Sequence, residues 1–217
     1  MFRILIQFVF LIYIIFVIFN MLELRRYNIN GFIIELADEG EFNLNNGRLV
    51  PMVLKNNLST DFNTLNPFHS HQEGSIKIFK NRDIIKDIDS YNQFPRSILN
   101  EKHFLYYKDS ITIQRASNSE IIRCVHNYNI ISILSGEATI YLINPKHKDD
   151  ITGKSSKNLK KWAHKKEMKK NETIFIPVNW YYFIETKENV MVHHTDVDNY
   201  FTLLPNTLKE YYLNFKQ

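Results

Sequence analysis

Apolar residues along this chain fall into two regimes. One unbroken run lies at the amino terminus, and from Phe104 onward short apolar runs are set off by turn residues. The later runs are Phe104–Tyr107, Ile111–Gln114, Ile121–His126, Ile130–Leu134, Ala138–Ile143, Thr173–Val178, Tyr181–Glu185 and Val190–His194. Most begin 8–12 residues apart, the rhythm of an all-β barrel or sandwich. Earlier, Val50–Leu54 and Ile76–Phe79 read as short strands, and Phe32–Leu36 is a short apolar run inside a polar connector. Asp83–Tyr91 places Ile84, Ile85 and Ile88 on one helical stripe. Thr207–Phe215, after Pro205, reads as a closing helix.

The amino-terminal run, Ile4–Met21, is 18 residues without a charge, interrupted only by Gln7 and Asn20. A helix of that length rises about 27 Å, close to the hydrocarbon thickness of a bilayer. No small-residue cleavage site follows, as a secretory leader would require, and no polar face marks it as a core helix. The expectation is an uncleaved, single-pass membrane anchor over 4–22, a connector over 23–46 and one folded domain over 47–217. Arg3 flanks one end and Arg25, Arg26 and Glu23 the other, so charge does not choose which side the domain faces.

At 217 residues the chain has room for one domain with a sizeable core. Its 44% hydrophobic content excludes an intrinsically disordered chain. Cys124 is the only cysteine, so no intrachain disulfide framework exists, a weak pointer to a reducing compartment. Asn57-Leu58-Ser59 and Asn171-Glu172-Thr173 fit the glycosylation sequon, a match short enough to arise by chance.

Residues 171–182 read Asn-Glu-Thr-Ile-Phe-Ile-Pro-Val-Asn-Trp-Tyr-Tyr. They resemble the late strand and turn of JmjC-type, cupin-like dioxygenases, Gly-Asp-apolar-apolar-aromatic-Ile-Pro-x-x-Trp-Trp-His. A second stretch, His126 to Pro145, is similar to that family's Asn, apolar strand, Gly turn and apolar strand ending in Pro. The resemblance covers residues 100–195, and 45–100 more loosely. It implies a mainly β fold, the double-stranded β-helix or jelly-roll-like barrel of cupins, with a few short helices.

The resemblance also implies where chemistry would sit. The family's last His, an iron ligand, falls on Tyr182, beside Trp180. Anchoring on Asn129 and Gly136 places the family's His-x-Asp on Arg123 and Val125, and its 2-oxoglutarate-binding lysine on Ala138. An iron dioxygenase needs two imidazoles and a carboxylate on one face of the metal. Arginine stays protonated, valine has no donor atom, and a phenol is a reluctant ligand at neutral pH. The expected pocket is therefore degenerate, with no cofactor. Should Arg123 point inward, its buried charge calls for a carboxylate or an anionic ligand opposite it.

Three further groups compete. Alternation along a strand puts Arg123 and Val125 on one side and His126 on the other, so a one-residue slip would turn His126 inward. With one of His193 and His194 and an acid, His126 could then form an unorthodox iron site; the plainer reading is core or surface histidines. His69, His71 and Glu73 have metal-ligand spacing, but they follow Asn63, Asn66 and Pro67 and read as a loop. Eight lysines fill 154–170: Lys154, Lys157, Lys160, Lys161, Lys165, Lys166, Lys169 and Lys170. They read either as a solvated loop with a short helix around Trp162, or as a patch for anionic lipid. Nucleic acid is the less expected partner.

The function expected from these residues is a membrane-anchored, cupin-like binding or structural module without catalysis. Two alternatives stand beside it. One is an active Fe(II)/2-oxoglutarate-dependent protein hydroxylase with non-standard ligands. The other is an interaction protein working through Lys154–Lys170.

Overall fold

The computed structural model of the protein describes residues 2–23, 31–36, 41, 49–55, 77–79, 104–115, 119–151 and 156–215. Helix α1 is Phe2–Glu23. Eleven strands follow among the described residues: β1 Ile34–Leu36, β2 Met52–Lys55, β3 Lys77–Phe79, β4 Phe104–Arg115, β5 Ile122–Arg123 and β6 Tyr128–Ser135, then β7 Glu137–Ile143, β8 Ala163–Lys169, β9 Glu172–Pro177, β10 Tyr181–Glu185 and β11 Asn189–Asn199. Single helical turns bridge β7 and β8, and helix α2, Leu203–Phe215, closes the chain.

The strands form two sheets, ordered β1-β2-β9-β6-β11-β4-β3 and β5-β10-β7-β8. Strands β4 to β11 occupy them in the sequence first, second, first, second, second, first, second, first. That mirror-symmetric alternation winds two antiparallel ribbons into a double-stranded β-helix, the barrel architecture shared by cupins. β2 extends the first sheet beside β9 with β1 parallel to it, and β3 lies outside β4.

Alternation explains the core. Ile131, Ile133, Ile174, Ile176, Val190 and Val192 point from the first sheet into the barrel, meeting Ala138, Ile140, Leu142, Tyr182 and Ile184 from the second. Tyr128, Ile130, Phe175 and Val197, one residue out of phase, form a separate cluster with Leu36, Met52 and Leu54 on the opposite face. Both faces of the first sheet are thus buried, which is why its strands read as continuous apolar runs rather than alternating ones.

The lysine-rich stretch has helical turns up to Trp162, as expected, but departs from its reading as a loop beyond that point. Leu159 is buried and Trp162 packs with it against Tyr141, Ile143 and Phe183 on the outer face of the second sheet. The chain then enters β8, where only Met168 reaches the barrel core. β8 is an edge strand, and its exposed lysines oppose pairing with a foreign strand. One buried side chain in seven left too little hydrophobic rhythm to announce a strand.

Other boundaries moved as well. Ile121–His126 is strand only over Ile122–Arg123, β4 joins two separately expected runs, and β11 continues five residues past His194. α2 begins at Leu203 rather than Thr207. The helix expected over Asp83–Tyr91 lies outside the described residues. Most of α1 is exposed, with Tyr13 and Val17 partly covered. Its described side chains run from Arg3 to Phe19, with Leu22 beyond, and over the described residues no helix is long and apolar enough to cross a membrane.

Gly136 turns the chain from β6 into β7 at φ +80°, where a Cβ would stand 2.8 Å from the carbonyl oxygen of Asn189. Left-handed backbone costs a side-chain-bearing residue about 1–2 kcal/mol, and the contact with rigid backbone adds to that. Gly136→Ala is therefore expected to destabilise the domain by about 2 kcal/mol or more. Chemical denaturation checks this, and an unchanged midpoint would contradict the assigned turn.

Candidate functional site

The barrel interior is filled where the resemblance would place iron. Tyr182 is fully buried, and its hydroxyl accepts a hydrogen bond from Asn129 Nδ2 at 2.8 Å. Burial first, then the charges of Asp196 and Cys124, push its phenol well above the ordinary tyrosine range. Trp180 is buried alongside and donates from Nε1 to the carbonyl of Leu49 at 3.1 Å, tying the late turn to the chain entering β2. Ala138 packs in the same core. Cys124 is completely buried, and burial raises its thiol far from the reactive thiolate form.

Arg123 takes another direction. It pairs in register with Tyr181, whose side chain packs on the outer face of the second sheet. Its guanidinium lies 5.7 Å from the Tyr181 ring and donates from Nη2 to Asn179 Oδ1 at 3.0 Å. Its hydrogen-bonded partner is thus a carboxamide, neither the carboxylate nor the anion that an inward guanidinium would need. Asn179 can serve because it sits at φ 72° in the β9–β10 turn, a left-handed position that asparagine tolerates. Val125 is buried and carries no donor atom. A guanidinium on the outer face, an isopropyl group and a buried neutral phenol do not make a ligand set for iron.

The polar chemistry has collected one strand-turn away. β5 ends at Arg123, and the loop before β6 turns His126 into a buried cluster at the end of β11. His126 Nδ1 donates to Asp198 Oδ2 at 2.6 Å. Asp198 is wholly buried, and its Oδ1 accepts from Asn206 Nδ2 at 2.7 Å, Thr202 Oγ1 at 3.2 Å and the Asn127 backbone N–H at 3.3 Å. On the other side of the ring, Nε2 lies 3.7 Å from Asp196 and 3.6 Å from Glu210, whose second oxygen accepts from Lys108 Nζ at 2.7 Å. Alternation along β11 places Asp196 and Asp198 on the barrel-facing side with Val190 and Val192. The bond to Asp198 fixes the imidazole proton on Nδ1 and orients the ring.

Alternation separates the histidine pair, with His194 on the barrel-facing side of β11 beside Asp196 and Asp198. His193 points to the other side of the sheet, 3.2 Å from Asp109, which also accepts from Thr195. His194 is held neutral, burial and then the neighbouring His193 pushing it down to about 4. His69, His71 and Glu73 lie outside the described residues. Among the described residues, no group of three or more His, Cys, Asp or Glu is arranged to hold a metal ion.

Lys154 and the side chain of Lys157 lie outside the described residues. Lys160 pairs with Glu185 at 2.7 Å, Lys165 with Glu167 at 2.6 Å and Lys166 with Glu35 at 2.5 Å. Lys161 stands over the Trp162 ring at 4.0 Å, and Lys169 and Lys170 are exposed. Three of these lysines are therefore met by carboxylates of the protein itself.

Asp196, Asp198, Asn206 and Glu210 were not singled out by sequence reasoning. The signal was the acidic alternation Asp196-x-Asp198, one residue beyond His193-His194, hidden because the strand was expected to stop at His194.

The cluster fixes a pH dependence. Burial alone would lower the His126 pKa, but its bond to Asp198 and the charges of Asp196, Asp198 and Glu210 outweigh that and raise it. Asp196 is pushed up to about 6, chiefly by burial. Both groups hold protons more tightly when folded, so both contributions are complete at low pH and fade as pH rises. Asp196 fades between about pH 4 and 6; His126 fades above about 6.5, through its raised value. Melting temperature is expected to fall across these windows. Asp196→Asn should flatten the lower limb and His126→Gln the upper, and limbs that persist in the variants would contradict the assignment.

Comparison with known proteins adds resemblance of shape only. No protein-family model and no curated protein sequence matches the chain. Among solved structures, the cupin domain of Schizosaccharomyces pombe Cnp3 is 18% identical, with a TM-score of 0.32, covering 44% of this chain and 58% of that one. Salicylate 1,2-dioxygenase from Pseudoaminobacter salicylatoxidans, in complex with gentisate, is 6% identical, with a TM-score of 0.31, covering 42% of this chain and 20% of that one. Vicilin from Corylus avellana is 13% identical, with a TM-score of 0.37, covering 62% of this chain and 33% of that one. The chain spans less than two thirds of each of these. At such distances the fold rests on the strand order described above: the chain is a mainly β, cupin-like barrel.

Proposed function

We propose that the protein is a membrane-anchored, cupin-like module of JmjC-type ancestry whose metal site has degenerated, and that it binds or scaffolds rather than catalyses. One observation carries the reading. Where an iron dioxygenase would grip its metal, Tyr182 closes the barrel with a hydrogen bond from Asn129, while Arg123 faces outward and Val125 offers no donor. The replacements fail for three separate chemical reasons, so loss of a single ligand does not account for them. The anchor rests on the uncharged run Ile4–Met21 and on the exposure of Ile4 to Ile12, Ile14 to Phe16, Ile18 and Phe19.

His126 favours the competing reading, an oxygenase with displaced ligands, because its Nε2 faces two carboxylates. The distances argue for a different role. Glu210 is already paired with Lys108, and Nε2 lies beside the two acids at 3.6 and 3.7 Å, which favours holding a proton on the ring.

The test is metal content and turnover of the full chain, purified in detergent and supplied anaerobically with Fe(II). The proposal expects iron well below one per chain and no conversion of 2-oxoglutarate to succinate. One iron per chain, with 2-oxoglutarate turnover that His126→Ala abolishes, would reverse it.

A further inference from the structure

Helix α2 is docked inside out. Thr202, just before it, together with Asn206 and Glu210, forms a stripe at four-residue spacing, and this polar stripe faces the barrel. Asn206 and Thr202 serve the buried Asp198, and Glu210 stands beside His126 and Lys108. The opposite stripe carries Leu204, Leu208, Tyr211 and Tyr212, each more than half exposed, with Tyr200 exposed just ahead of it. A helix on a soluble domain ordinarily does the reverse. An exposed apolar stripe of this kind marks a binding surface.

What lies beside the stripe identifies its partner. Phe16 of α1 stacks on Phe201 with ring centroids 5.4 Å apart, Tyr13 approaches the same ring at 6.1 Å, and the Tyr13 hydroxyl donates to the Tyr200 carbonyl at 3.2 Å. The contact falls near the middle of α1, not at its end. A domain that keeps it cannot stand clear of whatever solvates α1. α1 is apolar on every side and offers no single face to a protein partner, whereas lipid covers a helix all round. The part of the domain drawn down with α1 is the start of α2, and its outward surface is leucine and tyrosine. Tyrosine, with an apolar ring and a polar tip, suits the headgroup boundary.

We infer that α2 is a second membrane-contacting element, lying in the bilayer interface with Leu204, Leu208, Tyr211 and Tyr212 toward the acyl chains while its polar face holds the barrel. This rests on the reading of α1 as a membrane anchor. The barrel mouth, with His126 and Asp198, is then held close to the bilayer surface.

The experiment uses the full chain with single cysteines introduced at Leu208, Tyr212, Phe10 or Lys187, each carrying an environment-sensitive fluorophore. Cys124 is completely buried and does not compete for the label. The protein is reconstituted in phosphatidylcholine vesicles containing nitroxide-labelled lipid. Fluorescence at Leu208 and Tyr212 is expected to be lost as it is at Phe10, and retained at the exposed Lys187. Loss at Phe10 with retention at Leu208 and Tyr212 overturns this inference while leaving the anchor standing. Retention at all four sites overturns both. Protection of Leu208 from an aqueous quencher that grows with protein concentration in lipid-free micelles makes a second copy of the chain the occupant, and overturns the lipid assignment.

Discussion

The Asp198 carboxylate is the constraint around which the end of the barrel is organised. A wholly buried carboxylate without partners is costly, and this one is met by an imidazole, a carboxamide, a hydroxyl and a backbone amide. Those donors come from the loop between β5 and β6, from the turn after β11 and from α2. Removing one partner of a buried pair leaves the other uncompensated, at about 3–5 kcal/mol. The loop before β6 is thereby tied to the end of β11 and the start of α2, 72 residues later.

Much else follows from that arrangement. α2 must turn its polar stripe inward to reach Asp198, so its leucines and tyrosines must face outward. Asn199 supports the geometry, its Oδ1 accepting from the amides of Phe201 and Thr202 so that the chain turns into the helix. His126 is drawn to the barrel mouth, where Asp198, Asp196 and Glu210 surround its ring and raise its affinity for a proton. The interior beneath it is closed by Tyr182 and Asn129 and packed with isoleucine and valine. The polar cluster thus sits at the mouth, above an apolar fill.

The barrel was legible because its strands are either fully buried runs or bounded by strong turns. Gly136, and asparagine at 171 and 179 with positive φ, punctuate the sequence where the backbone reverses. β8 was not legible, since an edge strand with one buried residue in seven carries charge for solubility rather than a hydrophobic rhythm. The site was legible only in part. The resemblance pointed to Asn129, Trp180 and Tyr182, which meet in the barrel, and strand alternation flagged His126 as able to turn inward. Nothing local revealed that its partners would be Asp198, 72 residues later, and Glu210 on α2, because burial of a carboxylate is a property of the assembled barrel. The inverted face of α2 was hidden for the same reason.

The measurement that bears most directly on the account is ring ¹⁵N NMR of His126 in the full chain, recorded while Mn(II) is titrated in. Both nitrogens are expected to be protonated at mildly acidic pH, with Nδ1–H retained in its bond to Asp198 and signals that Mn(II) leaves sharp. An unprotonated Nε2 at that pH, with ring signals selectively broadened by stoichiometric Mn(II), would show a metal site at the barrel mouth and contradict it.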